Sequence, residues 1–342
     1  MKKKNLLLFM VSFMATAFIL AGTPNAHAAP IKLTYSNFFG PTHIQSKVAE
    51  AWCKEVEKRT NGRVKVEYYP GQTLSKGPQI YDGVVTGLSD LGFCLFGYTR
   101  GRFPVMEAVD LPLGYTSGKV ATKVVNKVYK KFMPKELTDT EVMYLHAHGP
   151  GILHTKGKAV KKVEDLKGMK IRGHGTIINI IKSLGGTAVS IPMPELYQSL
   201  QKGVVDGALY PMEVNKGWKM GEVTKYDTAC FSIAYTSSFF VVMNKGKWNK
   251  LPDDIKKIIE KINEEWIPKH GDAWDNSDME GIYHSLRQGH EIIGLDKKEA
   301  ARWKKFATPV IDGYITKMEK KGFKNAKEIA DFTISTLNKY QK

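Results

Sequence analysis

Val163-Glu164-Asp165-Leu166-Lys167-Gly168-Met169-Lys170-Ile171-Arg172 decides the fold. It reads as a turn followed by a strand, and what comes next repeats the theme. An apolar helix runs over Ile177 to Leu184, Gly185-Gly186 stops it, Ala188 to Ile191 alternates as a strand, and Pro194 opens another helix through Leu200. A strand followed by a helix and then a strand belongs to an α/β layer with mainly parallel strands and helices on both faces.

The same grammar holds upstream. Ile31 to Tyr35 alternates as a strand, and Ile44, Val48, Trp52 and Val56 mark one face of a helix. Asn61-Gly62 ends that helix, Val64 to Tyr68 alternates again, a helix falls near Pro78 to Gly87, and apolar Leu91 to Phe96 reads as a buried strand. The last third is more helical: Ile255, Ile258, Ile259, Ile262 and Trp266 describe one apolar stripe, read as core packing. Two α/β units imply two domains with a crevice between them, at the carboxyl ends of strands.

The chain begins Met1-Lys2-Lys3-Lys4, followed by an apolar run from Leu6 to Ala21 and the small-residue pattern Ala26-His27-Ala28. This is the layout of a secretory signal cut after Ala28. The run is shorter than the ~20 residues of a membrane span, and no cysteine near the cut offers a lipid anchor. Removing 28 of 342 residues leaves 314, enough for two domains. The signal carries three lysines and no acid, so the mature chain keeps 17 − 3 = +14 of the net charge. Lysines interleaved with acids, as in Lys54-Glu55-Val56-Glu57-Lys58, look like solvated faces. No zinc-finger, RNA-binding or basic-zipper spacing is present, which with export argues against nucleic acid and leaves an anionic small ligand or an acidic surface. Cys53, Cys94 and Cys230 lie in no Cys-x-x-Cys motif; buried free thiols are the favoured reading over a single disulfide.

Several ordered motifs together resemble the DctP-type solute-binding proteins of TRAP (tripartite ATP-independent periplasmic) transporters. They are the opening stretch Val163 to Arg172, then Glu195-Leu196-Tyr197-Gln198-Ser199-Leu200-Gln201-Lys202-Gly203-Val204-Val205-Asp206-Gly207, and Val242-Met243-Asn244-Lys245 through Trp248 to Leu251-Pro252. Earlier echoes are Thr60 to Arg63, Gly71-Gln72-Thr73-Leu74 and Gly101 to Pro104. The resemblance implies a two-domain periplasmic-binding-protein fold, a class II-like clamp with its ligand in the cleft and a helical C-terminal region. The expected division is residues 29–149 with about 238–277, against 150–237 with about 278–342. The implied partners are a small organic acid and the small and large membrane permease subunits; the expected receptor is a monomer without cofactor or metal.

In that family a strand-end arginine binds the ligand carboxylate, and Arg172 is the matching residue. A guanidinium offers two parallel donors to a carboxylate, fixing orientation as well as charge. Many relatives carry Glu-Asn-Pro where Leu209-Tyr210-Pro211 stands. Tyr210 replaces an asparagine that contacts the ligand, so it either stacks on a ring, donates its hydroxyl or simply packs. Pro211-Met212-Glu213 resembles another branch, which places Glu213 at the pocket. Some relatives use a second arginine where Ile152-Leu153-His154 stands, so a two-arginine clamp is not expected. Gly149-Pro150-Gly151 suits the domain crossover, with His148 at the pocket rim. Phe39 and Tyr98, at the strand ends Asn37 to Gly40 and Phe96 to Tyr98, and Gln72 complete the expected ligand-binding set. Aromatics at these ends point to a ligand with a ring or apolar arm.

Rival classes leave weaker traces. Gly-x-Ser-x-Gly, His-Glu-x-x-His and phosphate loops are absent, which argues against an enzyme. His146 and His148 share a strand face but lack a carboxylate or cysteine at metal-ligand spacing. A binding protein for an ATP-driven importer is the alternative; it shares the clamp but not the Arg172 and Glu195–Gly207 motifs.

Overall fold

The computed structural model describes residues 29–341. The expected signal and its cut after Ala28 lie outside the described residues. Among those residues no helix is long and apolar enough to cross a membrane.

The chain opens with β1 (Ile31–Asn37), α1 (Ile44–Arg59), β2 (Val64–Tyr69), α2 (Ile80–Thr86), β3 (Leu91–Leu95), α3 (Gly118–Phe132) and β4 (Thr140–Ala147). It then crosses to β5 (Gly151–Thr155), β6 (Lys170–Gly173), α4 (Ile177–Ser183), β7 (Thr187–Ser190), α5 (Met193–Gln201), β8 (Gly207–Pro211), α6 (Glu213–Gly217) and β9 (Tyr226–Ala229). It returns through β10 (Ser238–Asn244) and α7 (Lys245–Asn249) into the long helix α8 (Asp253–Arg287), and ends with β11 (Glu291–Gly294), α9 (Lys297–Lys320) and α10 (Ala326–Tyr340).

Two sheets result, ordered β2-β1-β3-β10-β4 and β11-β9-β5-β8-β6-β7. The βαβ units are parallel as the sequence implies: β1 pairs in parallel with β2 and β3, and β6 with β7 and β8. Both sheets are nevertheless mixed, because β10 runs antiparallel to β3 and β4, and β5 antiparallel to β8 and β9. These are the two strands entered directly from the other sheet. A strand arriving across the crevice starts at it, with Gly151 opposite Pro211 and Ser238 opposite Ala147, whereas βαβ strands end there.

Packing follows local chemistry. His43 Nδ1 caps α1 by accepting from the Gln45 amide at 3.2 Å, and the Ser117 hydroxyl caps α3 by accepting from Val120 at 3.1 Å. The buried face of α1 is rotated from the one the apolar spacing marks. Ala49, Trp52, Cys53 and Val56 are buried with polar Gln45 and Ser46, while Ile44 is 38% exposed. The reason lies across the helix: His270 of α8 stands 2.5 Å from Gln45 Oε1, so the first turn faces a polar partner. Along α8, Ile255, Ile259, Ile262 and Trp266 are buried as the stripe predicts, and Ile258 is partly so. Farther along, Asp278, Gly281 and Ser285 are buried at the other end of the helix, against α6. Helix α10 bridges: Leu337 joins the core of the first sheet, and Ala326, Ile329 and Ala330 that of the second. Cys53, Cys94 and Cys230 are buried and unpaired.

The crossover glycines have a different rationale from flexibility. Neither Gly149 nor Gly151 has a positive φ. A Cβ at Gly149 would run into the Asp278 carboxylate, and one at Gly151 into the Tyr235 ring, so both positions are glycine for closeness.

Candidate functional site

Between the two sheets lies a small cavity, lined from both halves. Its walls come from strand ends and their following turns in both halves. Phe38 and Phe39 follow β1, Tyr98 follows β3, Arg172 ends β6, and Tyr210 and Glu213 flank the β8–α6 junction.

Arg172 is fully buried. Its Nε donates to the Ile191 carbonyl at 2.7 Å, which fixes the guanidinium plane. Nη1 and Nη2 have no hydrogen-bond partner among the described residues, and no carboxylate there forms an ion pair with them. A buried, uncompensated charge is costly, so this arrangement calls for an anion that brings its own acceptors. The carboxylate of the lining, Glu213, is already matched: its Oε2 lies 3.0 Å from His43 Nε2.

The remaining lining is overwhelmingly aromatic. Phe38 stacks on Trp218 at 6.0 Å and on Phe239 at 6.3 Å, and Phe239 stacks on Trp274 at 5.2 Å. Phe39 packs on Phe38 at 4.1 Å and on His43 at 4.2 Å. The Tyr98 hydroxyl oxygen accepts from the Met193 amide across the crevice at 2.7 Å, tying the two halves together. Burial pushes the Tyr98 hydroxyl up to about 12, so it stays neutral beside Arg172.

The histidines also stay neutral. Burial, and then the Arg172 charge, pull His148 down to about 4, while its contact with the Gly149 carbonyl opposes this. Its tautomer follows from its partners: Nδ1 faces the Gly149 carbonyl at 2.6 Å and Nε2 accepts from the Ser237 amide at 3.0 Å. Both nitrogens are committed, so His148 presents carbon to the cavity. His174 is likewise held well below the ordinary histidine range, by burial, Arg172 and His148.

The structure therefore gathers Arg172, Tyr210, His148, Phe39, Tyr98 and Glu213 around one cavity. Tyr210 contributes a wall rather than a polar contact. Its ring stacks on His154 at 3.8 Å, and its hydroxyl donates to Asn215 Oδ1 at 2.9 Å. His154 in turn bonds Asp227 at 2.7 Å, and Asp227 reaches His290 at 3.0 Å, so Tyr210 is braced by a buried polar cluster. Gln72 stands outside the lining: its Oε1 accepts from the Gly77 amide at 2.8 Å, and a Cβ at Gly77 would lie 3.1 Å from the Tyr98 ring. It supports the loop behind Tyr98. Phe96 packs with Phe103 and Phe240 and does not line the cavity. Sequence reading missed Trp218, Tyr235, Ser237, Phe239 and Trp274 as lining residues. The one available signal was the start of β10, whose Ser238 pairs with Ala147 at the same crevice as His148.

The profile of bacterial extracellular solute-binding protein family 7, DctP, matches residues 35–318. A marine-metagenome TRAP solute-binding protein specific for aromatic acid ligands, crystallised with 3-hydroxybenzoate, is 30% identical, covers 92% of this chain and 100% of its own, and superposes with a TM-score of 0.87. One from Rhodoferax ferrireducens with copurified benzoate is 29% identical over 91% of this chain and 98% of its own, with a TM-score of 0.86. The C4-dicarboxylate-binding periplasmic protein DctP of Rhodobacter capsulatus is 27% identical over 304 residues, 87% of this chain and 90% of that one. With the two-sheet clamp and the buried strand-end arginine already in place, the match over most of the chain settles the family: this protein belongs to the bacterial extracellular solute-binding proteins of family 7, the DctP-type receptors of TRAP transporters.

Proposed function

We propose that this receptor captures a monocarboxylate carrying an aromatic ring, seats the carboxylate on Arg172, and hands the acid to the membrane permease of a TRAP transporter. The observation that carries this is the pair of Arg172 Nη groups, unpartnered among the described residues, in a cavity walled by Phe38, Phe39, Trp218, Phe239 and Trp274. One guanidinium accepts one carboxylate bidentately. A second carboxylate would meet Glu213 or aromatic carbon, so a C4 dicarboxylate fits poorly. The aromatic acids bound by the relatives from the marine metagenome and R. ferrireducens support the same ligand class.

Closure works as a clamp in this proposal. The moving bodies are residues 29–149 with 238–277, and 150–237 with 278–342, with α10 packed across both. Ligand bound between them favours the closed form by its extra contacts there, as the Tyr98–Met193 bond does already. The permease recognises that form; no bond is made or broken. The receptor acts as an exported monomer.

A thermal-shift screen of the purified protein tests the ligand class. At 100 times its Kd, a true ligand stabilises by about 2.7 kcal/mol. Benzoate-like acids are expected to raise Tm and succinate or malate to leave it unmoved; the reverse pattern rejects the aromatic reading.

A further inference from the structure

Three buried polar atoms bordering the cavity lack a hydrogen-bond partner among the described residues: Nη1 and Nη2 of Arg172, and Nδ1 of His174. The carboxylate seat accounts for the first two and leaves the third unexplained. His174 lies two positions beyond Arg172, just past the end of β6, and both side chains line the cavity.

The imidazole is held on two sides. Its Nε2 is 3.0 Å from Ser237 Oγ. Its Cδ2 edge abuts Gly97, where a Cβ would come within 2.9 Å, and Gly97 is not part of the cavity lining. The ring's other nitrogen, Nδ1, is buried without a partner among the described residues, in a side chain that lines the cavity. Among the described residues, His174 is the one side chain that bonds Ser237 Oγ, so the proton can lie on either side of that bond. Nδ1 is then free to donate or to accept, in a ring kept neutral by burial and Arg172.

We infer that His174 is a ligand-reading residue whose Nδ1 hydrogen-bonds a hydroxyl of the bound acid, which narrows the ligand class to hydroxylated aryl carboxylates. A hydroxyl both donates and accepts, matching a neutral histidine that can do either. An acid without it leaves Nδ1 buried and unpaired, a loss that translates to about tenfold or more in affinity. The inference rests on the aromatic-acid reading, and the test separates the two.

Calorimetry compares benzoate with its three monohydroxy derivatives, and phenylacetate with mandelate. At least one hydroxylated acid is expected to bind about tenfold or more tighter than its parent. His174→Leu is expected to shrink that ratio below about threefold, and His174→Asn to restore part of it. In wild-type protein labelled with 15N-histidine, the Nδ1 resonance is expected to move with the hydroxylated acid and not with its parent. If no aryl acid binds, the aromatic reading fails and this one with it. If aryl acids bind but wild type shows no hydroxyl preference, or His174→Leu keeps it, or Nδ1 responds equally to both ligands, His174 is not the reader and the carboxylate seat stands. The resonance decides the matter should His174→Leu fail to fold.

Discussion

Replacing Arg172 separates binding from folding. The guanidinium is fully buried, is anchored by Nε to the Ile191 carbonyl at 2.7 Å, and has two Nη groups without partners. Truncating one member of a buried charge pair costs about 2–5 kcal/mol of binding, which is roughly 30-fold to several thousandfold in Kd. Arg172→Met removes the charge and keeps most of the packing volume. Without ligand the charge has no compensating partner among the described residues, so its removal leaves the unliganded protein as stable as wild type or more so. Arg172→Lys keeps a charge but loses the fork and the Ile191 anchor, so it binds poorly too. The assays are calorimetry with benzoate and thermal melts without ligand. Binding by Arg172→Met within about threefold of wild type, or 0.65 kcal/mol, would refute the carboxylate seat. A large fall in unliganded stability with weakened binding would instead make Arg172 a structural residue.

Other expectations follow from neighbouring groups. Tyr210→Phe removes a hydroxyl bonded to Asn215 and is expected to cost about 1 kcal/mol of stability in urea melts while leaving benzoate affinity within about threefold; a tenfold loss would put the hydroxyl on the ligand. Asp110, pushed up to about 8 by burial against the opposing bonds from Ser238, binds a proton more tightly folded than unfolded. Its contribution to stability therefore falls as pH rises from about 4 to about 8, and Asp110→Asn should remove that fall and raise Tm at pH 8 relative to wild type. It removes only part of the slope, because Glu136, raised by burial to about 7, acts in the same direction. An unchanged profile in Asp110→Asn would show that Asp110 is ionised throughout. Asp227, bonded to His154 at 2.7 Å and His290 at 3.0 Å, braces the strand carrying Tyr210; Asp227→Asn is expected to cost about 3–5 kcal/mol in urea melts at pH 7, and a cost below about 1 kcal/mol would dismiss the brace.

The sequence made Arg172 legible because one residue type, a strand end and a chain of ordered motifs coincide there. Phe39 and Tyr98 could be read from their place beside glycines after strands. Trp218 and Trp274 could not: they come from α6's end and the middle of α8, and only the fold brings them to the cavity. His148 was legible as a position and not as a chemistry. Its nitrogens are consumed by the Gly149 carbonyl and the Ser237 amide, a pairing set by β10, which lies some ninety residues downstream. The mixed sheets escaped notice for a related reason, since periodicity marks a strand but not the direction from which the chain enters it. On α1 the polar first turn was hidden because its partner, His270, belongs to another helix.

Benzoate and benzamide share a ring and a shape and differ in charge. Titrating both into the wild-type protein by calorimetry asks whether this cavity is built around a buried guanidinium awaiting a carboxylate. The account predicts that benzoate binds and that benzamide binds more weakly by at least about 30-fold, the smaller end of the charge-pair range. Equal affinity for the two would contradict it.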